Sequence, residues 1–216
     1  MGITLVLIVL MTITAVAIFV SRAQAAARQR RFEDAQAEAR QWVDRLGGQI
    51  VQILGRNDAS KQALAEAAEC YDVAGRRFEQ ARSTEQADEV RETALEGLAY
   101  VRAARVAMDL DPGLTVPGSE ARAGAGTVTG YRKVDVDGQT YEISPQPADN
   151  TPYYHPGGNV AGRPVPQGWY SIPWWKPAVI RGTWGPGAAA VFTGLFDGMD
   201  GIPGTEAWPA AESKML

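Results

Sequence analysis

The side chains able to do chemistry in this chain are few. His155 is the single histidine and Cys70 the single cysteine of 216 residues. His155 stands in Tyr-Tyr-His-Pro-Gly-Gly, where the following Pro-Gly reads as a turn. No second histidine is present to complete a metal site with it. Cys70 adjoins Tyr71 in a helical pattern, the setting of a packed and inert thiol. It can join no intrachain disulfide. Asp135-x-Asp137-Gly138 opens like a calcium loop but lacks the glutamate at its twelfth position. The glycines at 124, 126 and 130 are followed by no Lys-Ser/Thr pair, so they make no phosphate loop. The Pro-x-Pro steps at 145–147 and 164–166 could occupy a groove domain, but also serve as plain straps. These residues predict no catalytic, cofactor or metal site, and a chain that is not an enzyme.

Recognition chemistry is better represented. Trp169, Tyr170, Trp174, Trp175, Lys176 and Arg181 gather within thirteen residues, and Trp174-Trp175-Lys176 has the composition of an aromatic-plus-cation membrane-interface anchor. They are the candidate contacts for a partner or a membrane surface. A ligand pocket around Trp169, Trp174 and His155 is the enzyme-like alternative.

A net charge of −4 excludes the basic face of a nucleic-acid binder. Seventeen Arg against four Lys, with abundant Ala, Gly and Pro, points to a GC-rich bacterial genome.

The elements that must position these residues begin with Ile3–Val20, eighteen residues without charge, Gly or Pro. As a helix they would extend about 27 Å, the depth of a bilayer core. Arg22, Arg28, Arg30 and Arg31 follow, with no positive side chain before the run. The expectation is a single-pass plasma-membrane anchor (1–21) with its N-terminus outside, a basic stalk (22–31), and a cytoplasmic body. The alternative is an exported envelope protein binding wall or lipid ligands, cleaved near Ala23-Gln24-Ala25. Against it, signal peptides carry positive charge first and an apolar run of about seven to fifteen residues.

Apolar residues then recur at 3-4 spacing three times within 32–110, predicting an antiparallel three-helix coiled-coil bundle. Its seam includes Leu64, Tyr71, Phe78, Val90 and Val101. Asp58 or Ser60 caps the second helix and Ser83 the third, with Gln86 completing a capping box. The small seam residues and Gly47-Gly48 make this bundle one that a partner or a second copy would stabilise.

A linker (111–127) leads to a β-hairpin (128–144) turning at Asp137-Gly138, with Val134 opposite Tyr141 and Lys133 opposite Glu142. Eight prolines between 145 and 177 predict an irregular aromatic strap (145–181). A short apolar helix (182–199), a candidate for membrane association, and a flexible tail (200–216) complete the chain. The predicted fold is thus mainly α, with an irregular C-terminal region. The predicted role is a membrane-anchored, non-enzymatic accessory or scaffold protein, or the regulatory subunit of a membrane enzyme complex. Its partners would be membrane lipid and a protein partner or a second copy.

Overall fold

The computed structural model describes residues 2–113, 115–118, 122 and 124–203, with the side chains of 2–10 and 12–17 outside that description. The predicted tail falls largely outside the described residues, as do parts of the linker.

Helix α1, Gly2–Ile50, runs unbroken for 49 residues because its Ala-, Gln- and Arg-rich middle holds no helix breaker. From Ile18 to Arg31 every side chain is exposed; packing begins at Phe32. Helix α2, Asp58–Gln80, starts at Asn57 rather than at Asp58 or Ser60. The extended Asn57 accepts from the Ser60 N–H at 2.8 Å, and its own N–H donates to Ser60 Oγ at 3.1 Å. Ser60 is therefore the far half of the box. Helix α3, Thr84–Val106, starts at Ser83, which accepts from the Gln86 N–H. The Gln86 side chain reaches one residue further than expected and accepts from the Arg82 N–H at 2.7 Å.

The three helices share a core of Ala39, Leu46, Ala67, Ala74, Val90, Ala94, Leu95, Leu98 and Val101. Small residues set the spacing. A Cβ on Gly97 would lie 2.5 Å from Leu46 Cδ2 and 3.0 Å from Cys70 Cβ. A Cβ on Gly47 would lie 2.8 Å from the Tyr71 ring.

The C-terminal half is a four-stranded antiparallel sheet in the order β1-β2-β4-β3. Strand β1, Arg132–Val136, pairs with β2, Gln139–Ser144, placing Val134 opposite Tyr141 and Lys133 opposite Glu142. Asp137 and Gly138 both take positive φ, as a two-residue hairpin turn of this hand requires. Strands β3, Tyr153–Val160, and β4, Arg163–Tyr170, form a second hairpin around Ala161-Gly162, again with both φ positive. Two short helices follow, α4 at Lys176–Arg181 and α5 at Ala188–Phe196. Helix α5 packs on β1 and β2. Its Phe192, Leu195 and Phe196 join Val128, Ile143, Val165 and Tyr170 in a second core. Trp169 enters a cluster of alanines, Ala59, Ala63, Ala103, Ala104 and Ala107, and so ties the sheet to α2 and α3.

Three expectations are corrected. First, the chain is not mainly α with an irregular end: the described residues form five helices and four strands in one antiparallel sheet. Pro156 and Pro164 take paired positions in the β3–β4 ladder, opposite Gln167 and Asn159, while the register skips Pro166, whose ring nitrogen has no hydrogen to give. Second, among the described residues no helix is long and apolar enough to cross a membrane. This overturns the transmembrane anchor and the single-pass plasma-membrane localisation. Beyond Val20, α1 carries Arg22, Arg28, Arg30 and Arg31 and then an alternation of acids and bases. Third, the 182–199 helix is α5, whose apolar face is covered by the sheet rather than offered to a membrane.

Candidate functional site

Glu85, Glu89, Glu92 and Glu96 recur along α3 at 4-3-4 spacing, which sets four carboxylates on one helix face, with Asp88 beside them. This face lines a groove of about 640 Å³ whose other walls are Arg77 of α2, Arg122, and the β3 segment His155 to Val160. The groove continues into a second compartment of about 370 Å³ through the shared residues Arg77, Thr93, Glu96, His155 and Val160. There the walls are Glu66, Glu69, Cys70 and Val73 of α2, Tyr100 of α3, and Trp175, Lys176, Val179 and Ile180 at α4.

The basic residues of the groove are partly committed. Arg122 Nη1 lies 3.8 Å from Glu92 Oε2, and Arg77 Nη1 donates to Thr93 Oγ1 at 3.1 Å. Lys176 Nζ pairs with Glu66, closing α4 onto α2. Carboxyl groups outnumber these cations in the lining, and Arg91 beside them pairs with Glu92 at 3.0 Å. Burial holds the Glu96 carboxyl above the usual carboxylate range; Arg122 and Arg77 pull it down, while Glu66 and Glu69 add to the rise.

His155 is buried edge-on against Trp175, with ring centres 4.8 Å apart. Its Nδ1 accepts from the Gly157 N–H at 3.0 Å, which leaves the hydrogen of the neutral ring on Nε2. Burial pushes its pKa down to about 3. Positive φ at Gly157 permits this tight turn, and a Cβ there would meet the Arg122 carbonyl at 2.9 Å. Burial also pushes the Cys70 thiol far up, helped by Glu96, Glu66 and Glu69. A thiol so held is a poor nucleophile. Among the described residues no group of three or more His, Cys, Asp and Glu is placed to hold a metal ion.

The residues singled out from sequence are distributed unevenly. Trp175 and Lys176 line the groove. Trp169, Tyr170 and Trp174 are packed inside, at 2%, 1% and 9% exposure, which suits core aromatics rather than anchors. Arg181 lies beside a different hollow, with Trp174 and Trp184. Of the seam residues, Val90 and Val101 are buried, Leu64 and Phe78 are half-buried, and Tyr71 is 41% exposed. The topology residues Arg22, Arg28, Arg30 and Arg31 lie on the exposed length of α1, away from the groove. Sequence reading missed the acidic face of α3, although its 4-3-4 spacing is the spacing used to find the seams.

In comparison with known proteins, the chain matches no family model, no curated protein and no solved structure.

Proposed function

We propose that this chain is a non-enzymatic binding module that holds a basic, amphipathic segment of a partner protein in the groove between its helices and its sheet. One observation carries the reading: the carboxylate face of α3 runs into a compartment rimmed by Val179 and Ile180, which are 61% and 83% exposed. A cationic helix would find carboxylates along its charged side and these two aliphatic side chains under its apolar side. The chemistry of the groove supports binding over turnover. Its thiol is held protonated, and its imidazole is neutral with one nitrogen already accepting from the backbone.

The test is calorimetric titration of the full chain with a synthetic Lys/Leu amphipathic peptide and with its Glu/Leu counterpart. The Lys/Leu peptide is expected to bind, more weakly as salt rises, and less well to Glu92→Gln and Ile180→Ser. Equal binding of both peptides, or none of either, would overturn the proposal.

A further inference from the structure

Helix α1 leaves the bundle as an arm. From Ile18 to Arg31 its side chains are exposed, and packing begins only at Phe32. The chemistry of the arm changes along its length. Ile18, Phe19 and Val20 come first; Arg22, Arg28, Arg30 and Arg31 follow, with no acid among them. Among the described residues no carboxylate pairs with any of these arginines.

The acidic groove changes in a complementary way. Its α3 wall carries Glu85, Asp88, Glu89 and Glu92, all exposed, and its second compartment ends at the aliphatic Val179 and Ile180. Among the described residues Glu85 and Glu89 have no cationic partner. The lengths also agree. Glu85 to Glu96 and Val20 to Arg31 are equal helical stretches of about 16 Å.

The arm cannot enter the groove of its own chain. Helices α1 and α3 run parallel: Glu38 lies 3.5 Å from Arg91, and further along both helices Gln49 Oε1 accepts from Arg105 at 3.3 Å. Equal rise along the two helices places Arg31 about level with Thr84, where α3 begins. The arm therefore projects beyond the start of α3, continuous with the packed part of one unbroken helix. No α1 residue lines either compartment.

We infer that the groove receives the α1 arm of a second copy of this chain. The inference rests on the reading of the groove given above and names its partner. The arginines lie over Glu85 to Glu92, and Ile18 to Val20 reach toward Val179 and Ile180. The arm then runs antiparallel to the α3 that receives it, and opposite charges hold its register. Because α1 and α3 are parallel within each chain, a two-fold axis across the helices makes the same contact twice. Each copy lends its arm and receives the other's, in a closed dimer.

The experiment is sedimentation equilibrium of the full chain and of two charge-reversed variants. The parent chain is expected to be a dimer that weakens as salt rises. One variant joins Arg28→Glu to Arg31→Glu, on the exposed arm where folding is not at stake. The other joins Glu85→Lys to Glu89→Lys, on the exposed side of α3. Each alone sets like charges against each other and should raise the dimer dissociation constant at least about tenfold. Mixing the two restores opposite charges at both contacts and should recover the dimer. A monomeric parent, undiminished association of the arm variant, or no recovery on mixing variants of parental circular dichroism would overturn the inference. Titration of the arm variant, whose groove is intact, with the Lys/Leu peptide separates the two readings. Peptide binding without a parental dimer would remove the second copy and leave the groove; no peptide binding would remove the groove reading itself.

Discussion

Lys176 and Glu66 lie 110 residues apart in the chain and form an ion pair that joins helix α4 of the sheet half to helix α2 of the bundle. Both residues line the second compartment of the groove, with side-chain exposures of 40% and 18%. Because the lysine is more than a third exposed, solvent screens much of its worth. Lys176→Met is expected to cost no more than about 1 kcal/mol in urea unfolding. Glu66→Ala should cost about the same and should make Ile180 more accessible to protease cleavage nearby. A loss several times larger would mean that the pair is far better shielded than its exposure indicates.

Two glycines in neighbouring helices should respond to alanine with opposite signs. At Gly97 the new methyl would meet Leu46 and Cys70, so overpacking outweighs the gain in helix propensity. The expected net loss is about 1–2 kcal/mol. At Gly75 nothing lies within 4 Å of the added carbon, and Gly75→Ala should stabilise by about 0.5–1 kcal/mol. Thermal melts of the two variants followed by circular dichroism check the pair.

Stability should fall on acidification in a way that His155 governs. Its folded pKa, about 3, lies below the ordinary value of 6.5, so the native state favours the neutral ring. Above about pH 6.5 the group contributes no pH dependence; below it, stability drops by about 1.4 kcal/mol per pH unit until the folded value is reached. Glu96 acts in the opposite sense, since its raised pKa favours the protonated native form. That contribution is present below its unfolded value and is lost as pH rises through the folded one. Urea midpoints between about pH 7 and 5 should fall less steeply in His155→Gln than in the parent chain. Parallel slopes would show that His155 is not the group responsible.

The Cys70 thiol should be sluggish toward iodoacetamide at mildly alkaline pH. Burial and three neighbouring carboxylates all oppose the thiolate. Alkylation in the native chain should be slower than in denaturant by at least about tenfold. Equal rates would show that the thiol reaches solvent as a free anion.

The local chemistry of this chain was legible wherever one residue type dictates geometry. Asp137-Gly138, flanked by alternating residues, specifies the first hairpin down to the Val134–Tyr141 pair. The second hairpin was hidden because its prolines read as breakers and Ala161-Gly162 lacks the usual Asn or Asp before glycine. The alanines of the expected α2 seam lie inside, and its tyrosine lies further out. Ala63, Ala67 and Ala74 bury completely, while Tyr71 lies out over the space that Gly47 leaves. In sequence, Trp169 and Trp174 look like contacts for a partner, because only the fold shows what encloses them. The acidic face of α3 is hidden in the sequence for a related reason: charged residues at helical spacing read as a solvated face unless a second wall stands opposite. That wall is β3, far along the chain, and only the fold brings it there.

The most direct test of the groove is a hydrogen-exchange footprint of the full chain with and without the Lys/Leu amphipathic peptide. Slowed exchange is expected along Glu85–Glu96 of α3 and around Trp175–Ile180, with α5 and the first hairpin unchanged. Protection confined to surfaces outside the groove, or none at a saturating peptide concentration, would contradict the account.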